Sequence, residues 1–363
     1  MNGQTNRYTS AIARAQHFCD TYELRVPVLM APMAGACPPA LAAAVANAGG
    51  MGACGALLME PTAIDAWVSK VRDQTNGAFQ LNTWIPDPAP VRDAEHEVNV
   101  REFLSQWGPL VSEDEANTGT VDFDAQCESM LAAGPRVMSS IMGLYPEHVV
   151  DSMKAQGIHW FATVTSVTEA LAAEAAGANV IVAQGMEAGG HRGAFNAADA
   201  QLSLVGLLSL VPAVVDAVNV PVVATGGIAD PRAMAAALTL GASAVQVGTG
   251  LLRSYEADTP KVLADAMANT KPEDTVATRA FSGRLGRSLQ SSFTRAAAAA
   301  SAPEPAPYPV QRALTAPMRK QAVATDNLAS MQAWAGQSAA YARNVAAGKI
   351  VVELWDGARS LLP

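Results

Sequence analysis

The chain has 363 residues, 50% of them hydrophobic and 16% charged, which suits one barrel-sized domain with an appendage or two domains. A net charge of −9 argues against a nucleic-acid binder, which needs a basic face; ordinary solubility accounts for it. The stretch Met1–Asp20 lacks a signal-peptide core, and no apolar run reaches the about 18 residues of a membrane span. Cys19, Cys37, Cys54 and Cys127 show no CxxC spacing, so reduced thiols and a cytoplasmic location are expected. His17 and Cys19 lie two apart, but no second such pair and no HExxH follows, so no metal site is predicted.

Eight short apolar runs read as strands: Val26–Pro32, Gly50–Leu57, Phe79–Trp84, Arg136–Met142, Ile158–Thr163, Asn179–Ala183, Pro221–Thr225 and Ala242–Gly248. Most are continuously apolar rather than alternating, as parallel strands buried on both faces require. Helix-compatible, alanine-rich stretches separate them, including Pro39–Ala48, Thr62–Arg72, Glu147–Gln156, Val167–Ala175 and Pro231–Leu240. This α/β alternation predicts a (β/α)8 TIM barrel over residues 1–251. A doubly wound sheet is the competitor, but it would carry its glycine fingerprint after the first strand. Pro86–Asn117 reads as an excursion over the barrel top after the third strand. Residues 252–363 read as a small, mainly helical cap, with Ala296–Pro309 as a strap and helices over Asn327–Val345 and Val351–Leu362.

The strand ends carry the candidate chemistry, because a parallel barrel builds its site there. The first run ends in Ala31-Pro32-Met33, where Met33 offers a soft surface to a flat cofactor or fills the barrel. Asn82, a buried amide near the end of the third, needs either a ligand or an internal bond. The sixth ends in Gln184-Gly185-Met186-Glu187-Ala188-Gly189-Gly190-His191-Arg192-Gly193. Here a glycine pair permits close approach of a ligand and His191 brings a tunable proton carrier. Two readings of His191 stay open, an acid/base and a cofactor or structural contact; Arg192 is a candidate to hold an anion. The last two strands end in Thr225-Gly226-Gly227 and Gln246-Val247-Gly248-Thr249, the usual place for a phosphate, with Asp230-Pro231 opening a helix behind them. Trp84, Tyr145 and Tyr308 are candidate pocket walls or packing residues. A phosphorylated flat cofactor such as FMN fits this set.

On these blocks, and on Asn47-Ala48-Gly49-Gly50-Met51-Gly52, Phe281-Ser282-Gly283-Arg284, Pro317-Met318-Arg319-Lys320 and Trp334-Ala335-Gly336-Gln337, the chain resembles the nitronate monooxygenases, formerly 2-nitropropane dioxygenases. The resemblance implies a non-covalent FMN held by Ala31, Pro32, Met33, Asn82, Gln184, Gly189, Gly190, His191, Gly226, Gly227, Gln246, Gly248 and Thr249. It implies oxidation of a small alkyl nitronate with O2 to a carbonyl compound and nitrite, with neither nucleic acid nor membrane as partner. A homo-oligomer is left open. Well-known members of that family carry a catalytic histidine at the end of the fourth strand. This chain has Ser139-Ser140-Ile141-Met142-Gly143 there, and Ile141 cannot take a proton. His148 begins the next helix and is expected to face solvent. His191 is left as the catalytic candidate, acting on preformed nitronates. The alternatives are an NAD(P)H-dependent FMN reductase of the enoyl-ACP or quinone reductase type and a flavin barrel with diverged activity.

Overall fold

In chain order the strands of the computed structural model, which describes residues 10–113 and 121–363, are β1 (Val28–Met30), β2 (Gly52–Gly55), β3 (Phe79–Trp84), β4 (Val137–Ile141), β5 (His159–Val164), β6 (Val180–Gln184), β7 (Gly190–His191), β8 (Val222–Thr225), β9 (Ala244–Val247), β10 (Thr275–Thr278) and β11 (Gly286–Leu289). All but β7, β10 and β11 pair in parallel, in the order β1-β9-β8-β6-β5-β4-β3-β2. A parallel bridge between Leu29 and Met51 closes the ring. Every residue of β1, β2, β6, β8 and β9 is buried. That is why these segments are largely apolar rather than alternating, with Gln184, Thr225 and Gln246 as the polar exceptions. The expected (β/α)8 barrel is what forms.

The surrounding helices start where local chemistry favours it. Side chains of Asp122, Ser166 and Asp230 accept the N–H three residues on, and Pro39, Pro61 and Pro231 occupy the first helical position. The helix Ala347–Leu361 lies between the helices Pro39–Asn47 and Pro231–Thr239, and buries Ile350, Val351, Leu354 and Trp355 in the barrel's main core. It therefore stands in the eighth position of the barrel wall. Its C-terminal part, Val351–Leu362, was expected to be cap; the apolar i, i+3, i+4 stripe shows a buried face but not against what.

The opposite end of the barrel is sealed by a helix the apolar runs do not announce, Ala11–Tyr22. Phe18, Cys19 and Tyr22 pack on the inward side chains of Leu29, Met51, Val137, Phe161, Val180, Val182, Val223 and Ala244. Burying each of the larger side chains contributes about 1.5–3 kcal/mol.

Over the mouth, β10 and β11 form an antiparallel ribbon that β7 joins, with His191 opposite Gly286. Short helices Ser292–Ala297, Val310–Leu314 and Ala316–Ala324 complete the cap. Residues Asn327–Val345 are not a helix. They form turns and an extended segment, with only Ala339–Tyr341 in a 3-10 turn. Trp334 bridges to Ser288 and Leu289 N donates to Ala333 O, so this segment is held by the ribbon. The excursion after β3 contains the helix Ala94–Ser105, and its residues 114–117 lie outside the described residues. Val100 and Leu104 of that helix share a core with Phe281, Phe293, Val310, Leu314 and Met318. Excursion and cap are thus one body above the barrel. No helix among the described residues is long and apolar enough to cross a membrane.

Candidate active site at the barrel mouth

Inside the ring, Gln80 and Asn82 of β3 point to the same face, two residues apart. Gln80 Nε2 donates to Met30 O (3.1 Å) and Gln246 Oε1 (3.2 Å), while Gln80 Oε1 is buried without a partner. Asn82 Nδ2 donates to Ser139 O (3.0 Å) and Ser139 Oγ (3.1 Å). The internal bond expected as one option for Asn82 therefore exists. It leaves Asn82 Oδ1 as a free acceptor and Gln246 Nε2 as a free donor among the described residues.

The ends of β1 and β9 lie side by side. Ala31 N donates to Val247 O (2.9 Å), and a Cβ added at Gly248 would sit 3.4 Å from Met33 Sδ and 3.3 Å from Ala31 Cβ. Ala31, Pro32 and Met33 remain partly exposed there. Thr249 Oγ1 accepts from Gly336 N (3.0 Å), which brings the Trp334–Gln337 segment onto the end of β9. Gly226 and Gly227 follow β8 directly. Behind them, the Asp230 carboxylate caps its own helix through Ala233 N (3.0 Å), so the N–H groups open to an anion are those of the loops.

The β6 loop is pinned from both sides. Gln184 Nε2 donates to His191 O (3.0 Å) and Gln184 Oε1 accepts from Gly193 N (2.8 Å). Both ends of that amide are spent on the chain's own backbone, so Gln184 shapes the loop rather than offering a free rim group. Gly189 has no room for a side chain, since a Cβ would fall 2.5 Å from Gly336 N. Gly190 has φ +75° and no atom within 4 Å of such a Cβ, so its backbone borders open space.

Arg192 lines a cavity with Gly190 but spends its terminal nitrogens on the backbone. Its guanidinium is buried and donates to the carbonyls of Gln184, Thr165 and Ser203. The expected anion-holding role fails because its terminal nitrogens go to three backbone carbonyls and its Nε is buried. Other cations supply the positive field. Arg284, Arg312 and Arg319 all act on His191, whose pKa is held down to about 3, first by burial and then by these charges. Arg284 is ion-paired with Asp87 of the excursion, Nε to Oδ2 2.7 Å. Arg319 bonds only neutral acceptors: Thr315 Oγ1, Gln332 Oε1 and Arg312 O. The Arg312 guanidinium has no hydrogen bond or ion pair among the described residues. Among the described residues, these two positive charges are thus left without a carboxylate.

The His191 ring meets the edges of Trp84 at 4.7 Å and Trp334 at 4.9 Å between centroids, and its Nε2 lies 2.7 Å from Ser282 Oγ. Tyr308 packs on Trp84 at 5.5 Å. Trp84 and Tyr308 are therefore mouth residues. Tyr145 is not: its hydroxyl donates to Ser139 O and its ring packs against Trp160 outside the ring of strands. His148 is exposed at the start of its helix, as expected. Ile141 ends β4 and packs near Gly193, with no proton-carrying group in its place.

Reading strand ends misses Asp87, Ser282, Arg312 and Arg319 as site residues, because all four come from the excursion or the cap. One signal was present. From Pro305 to Thr325 the sequence has no carboxylate, so the charges of Arg312 and Arg319 have no local partner there.

A family model for nitronate monooxygenase matches residues 16–357. A probable nitronate monooxygenase of Staphylococcus aureus (strain Newman) is 36% identical over 318 residues, covering 87% of this chain and 89% of its own. Nitroalkane oxidase from Streptomyces ansochromogenes superposes with a TM-score of 0.84 at 34% identity, covering 93% of this chain and 98% of that one. FabK from Thermotoga maritima follows with a TM-score of 0.72 at 28% identity over 95% and 96% of the two chains.

Proposed function

Because this chain belongs to the nitronate monooxygenase family, we propose that it oxidises preformed alkyl nitronates, or a closely related small anion, at an FMN held in the barrel mouth. A carbonyl compound and nitrite are the products in this reading, and O2 is the co-substrate. The observation that carries it is the cationic excess of Arg312 and Arg319 beside a neutral His191. Such a mouth binds an anion strongly, because charge-assisted hydrogen bonds gain in a partly dry site. It is poorly equipped to strip a proton from a neutral nitroalkane: Ile141 is inert and His191, at about 3, is a weak base.

The residues present fit FMN. Met33 beside Gly248 offers a flat apolar shelf, Asn82 Oδ1 and Gln246 Nε2 offer an unmatched acceptor and donor, and open space borders Gly190. Gly226, Gly227, Gly248 and Thr249 supply the backbone N–H groups for the phosphate. When bound, the flavin supplies the redox chemistry between nitronate and O2. The chain's own part is to place the anion: Arg312 holds its oxygens, Arg319, bonded within the cap through all three guanidinium nitrogens, adds positive field, and Trp84, Trp334 and Tyr308 exclude water. Oxygen uptake with alkyl nitronates, and little with the parent nitroalkanes at neutral pH, is the expected result. Equal rates on the two would sink the preference for the anion. His191 then acts as a hydrogen-bond acceptor rather than a base, so replacing it with Ala is expected to lower turnover and spare FMN content.

A second reading is favoured by the similarity to FabK over 95% of the chain: an NAD(P)H-dependent reduction on the same barrel. Anaerobic mixing decides between the two. Fast bleaching of the flavin by NADH or NADPH supports the reductase, and slow bleaching supports the nitronate reading.

A further inference from the structure

Resting on the reading that His191 faces the substrate, we propose that Ser282 is a positioning residue that fixes the His191 ring as its Nε2–H tautomer and leaves Nδ1 as a bare acceptor in the mouth. The Ser282 side chain is fully buried, so no solvent competes for its hydroxyl. That hydroxyl has one proton and two neighbours, His191 Nε2 at 2.7 Å and Arg284 O at 3.2 Å. If it donates to Arg284 O, it accepts from Nε2–H, and every donor in the chain His191, Ser282, Arg284 is satisfied. If it donates to Nε2 instead, Arg284 O loses that bond and the proton must sit on Nδ1, which has no partner among the described residues. Nδ1 lacks a protein partner in both arrangements, so the Arg284 O bond decides: leaving that buried carbonyl unmatched costs about 1–3 kcal/mol, enough to make the first arrangement dominant.

The geometry around Ser282 is built for this. Ser282 N donates to Arg279 O at 3.2 Å, and Gly283 turns with φ +85° where a Cβ would lie 2.4 Å from Ala306 O. The ring itself is held between Trp84 and Trp334. The charged groups facing it are Arg284, Arg312 and Arg319, with Asp87 opposed through its pair with Arg284. Positive surroundings keep the ring neutral, so the choice is between two neutral tautomers. An acceptor nitrogen offers nothing to a nitronate oxygen. The anion's oxygens are left to Arg312, with Arg319 adding positive field, and Nδ1 takes a hydrogen-bond donor.

Nitrogen-15 NMR of histidine-labelled protein tests this, with His191 assigned by its absence in His191→Asn. At pH 7 the expected spectrum shows a protonated Nε2 and a bare Nδ1. Ser282→Ala is expected to give a mixture of both neutral forms and a kcat lower by about tenfold, the usual scale for losing a partner that orients a functional histidine. Flavin content stays the same, and Ser282→Thr restores the single tautomer. A protonated Nδ1 in the unaltered protein overturns the proposal, as does an unchanged tautomer in Ser282→Ala. If Ser282→Ala does not fold, the unaltered protein's spectrum decides alone. The tautomer is read in the resting protein, so a chain that turns out inactive on nitronates would sink the functional reading and leave this one standing.

Discussion

The two ends of the barrel each hold a histidine bonded to a hydroxyl, and they differ in everything around it. At the closed end, His159 Nδ1 lies 2.9 Å from Tyr22 OH, under the plug formed by Phe18, Cys19 and Tyr22. At the mouth, His191 Nε2 lies 2.7 Å from Ser282 Oγ, ringed by Trp84, Trp334 and three arginines. Burial lowers the pKa of both rings. At the closed end the nearby Arg136 is paired with Glu23, whereas at the mouth Arg312 and Arg319 have no carboxylate partner among the described residues. A hydrogen-bonded histidine is therefore no sign of function by itself; the unspent charge and open space beside it are.

Four measurements break or sharpen that contrast. The largest effect is expected at the plug: Phe18→Ala should lower unfolding stability by about 3–5 kcal/mol, as large-to-small core changes do. The folded fraction should keep its kcat, and a lost kcat would mean that the closed end reaches the chemistry. Next, Arg312→Ala combined with Arg319→Ala should raise KM for an anionic substrate about 100-fold, on the scale of charge-assisted hydrogen bonds. Arg319 takes three cap hydrogen bonds with it, so the double variant should lose some stability while Arg312→Ala alone should change it little, and an unmoved KM would remove the anion site.

The third concerns pH. His191 falls from 6.5 to about 3 on folding, so the unfolded chain binds its proton first. Stability from this group is full above pH 6.5 and is lost as pH falls toward 3, at no more than about 1.4 kcal/mol per pH unit. His191→Asn should flatten urea-derived stability across that window. His191 should also add no inflection to kcat/KM between about pH 5 and 9, because it stays neutral there. The smallest effect is Tyr22→Phe, about 0.5–1.5 kcal/mol for one hydrogen bond, seen in thermal unfolding and absent from kinetics.

The barrel was legible because its strands are buried on both faces, which forces near-continuous apolar runs such as Asn179–Ala183, observed as the strand Val180–Gln184. The strand ends were legible for the same reason: Met33, Asn82 and Gln246 interrupt or terminate those runs. Two features stayed hidden. The plug helix has a mixed surface, with Arg14 buried beside Phe18, and its apolar stripe is too short to stand out. The residues Asn327–Val345 contain good helix formers, yet the segment is held extended because Ala333 and Trp334 bond to β11. Tertiary pairing overrode propensity there. Arg192 looked like an anion binder because sequence shows charge but not the three carbonyls that consume it.

The position of the helix Ala347–Leu361 changes what kind of object the cap is. Since the last wall element of the ring follows the cap in sequence, the cap is a loop inserted between the eighth barrel strand and its helix, fastened at both ends. Cutting the chain after residue 345 would not uncover the mouth cleanly; it would pull a stave from the wall. Exchanging the cap for that of a relative means grafting an internal segment across two splice points, and a cap so anchored opens by bending within itself rather than by swinging on a single hinge.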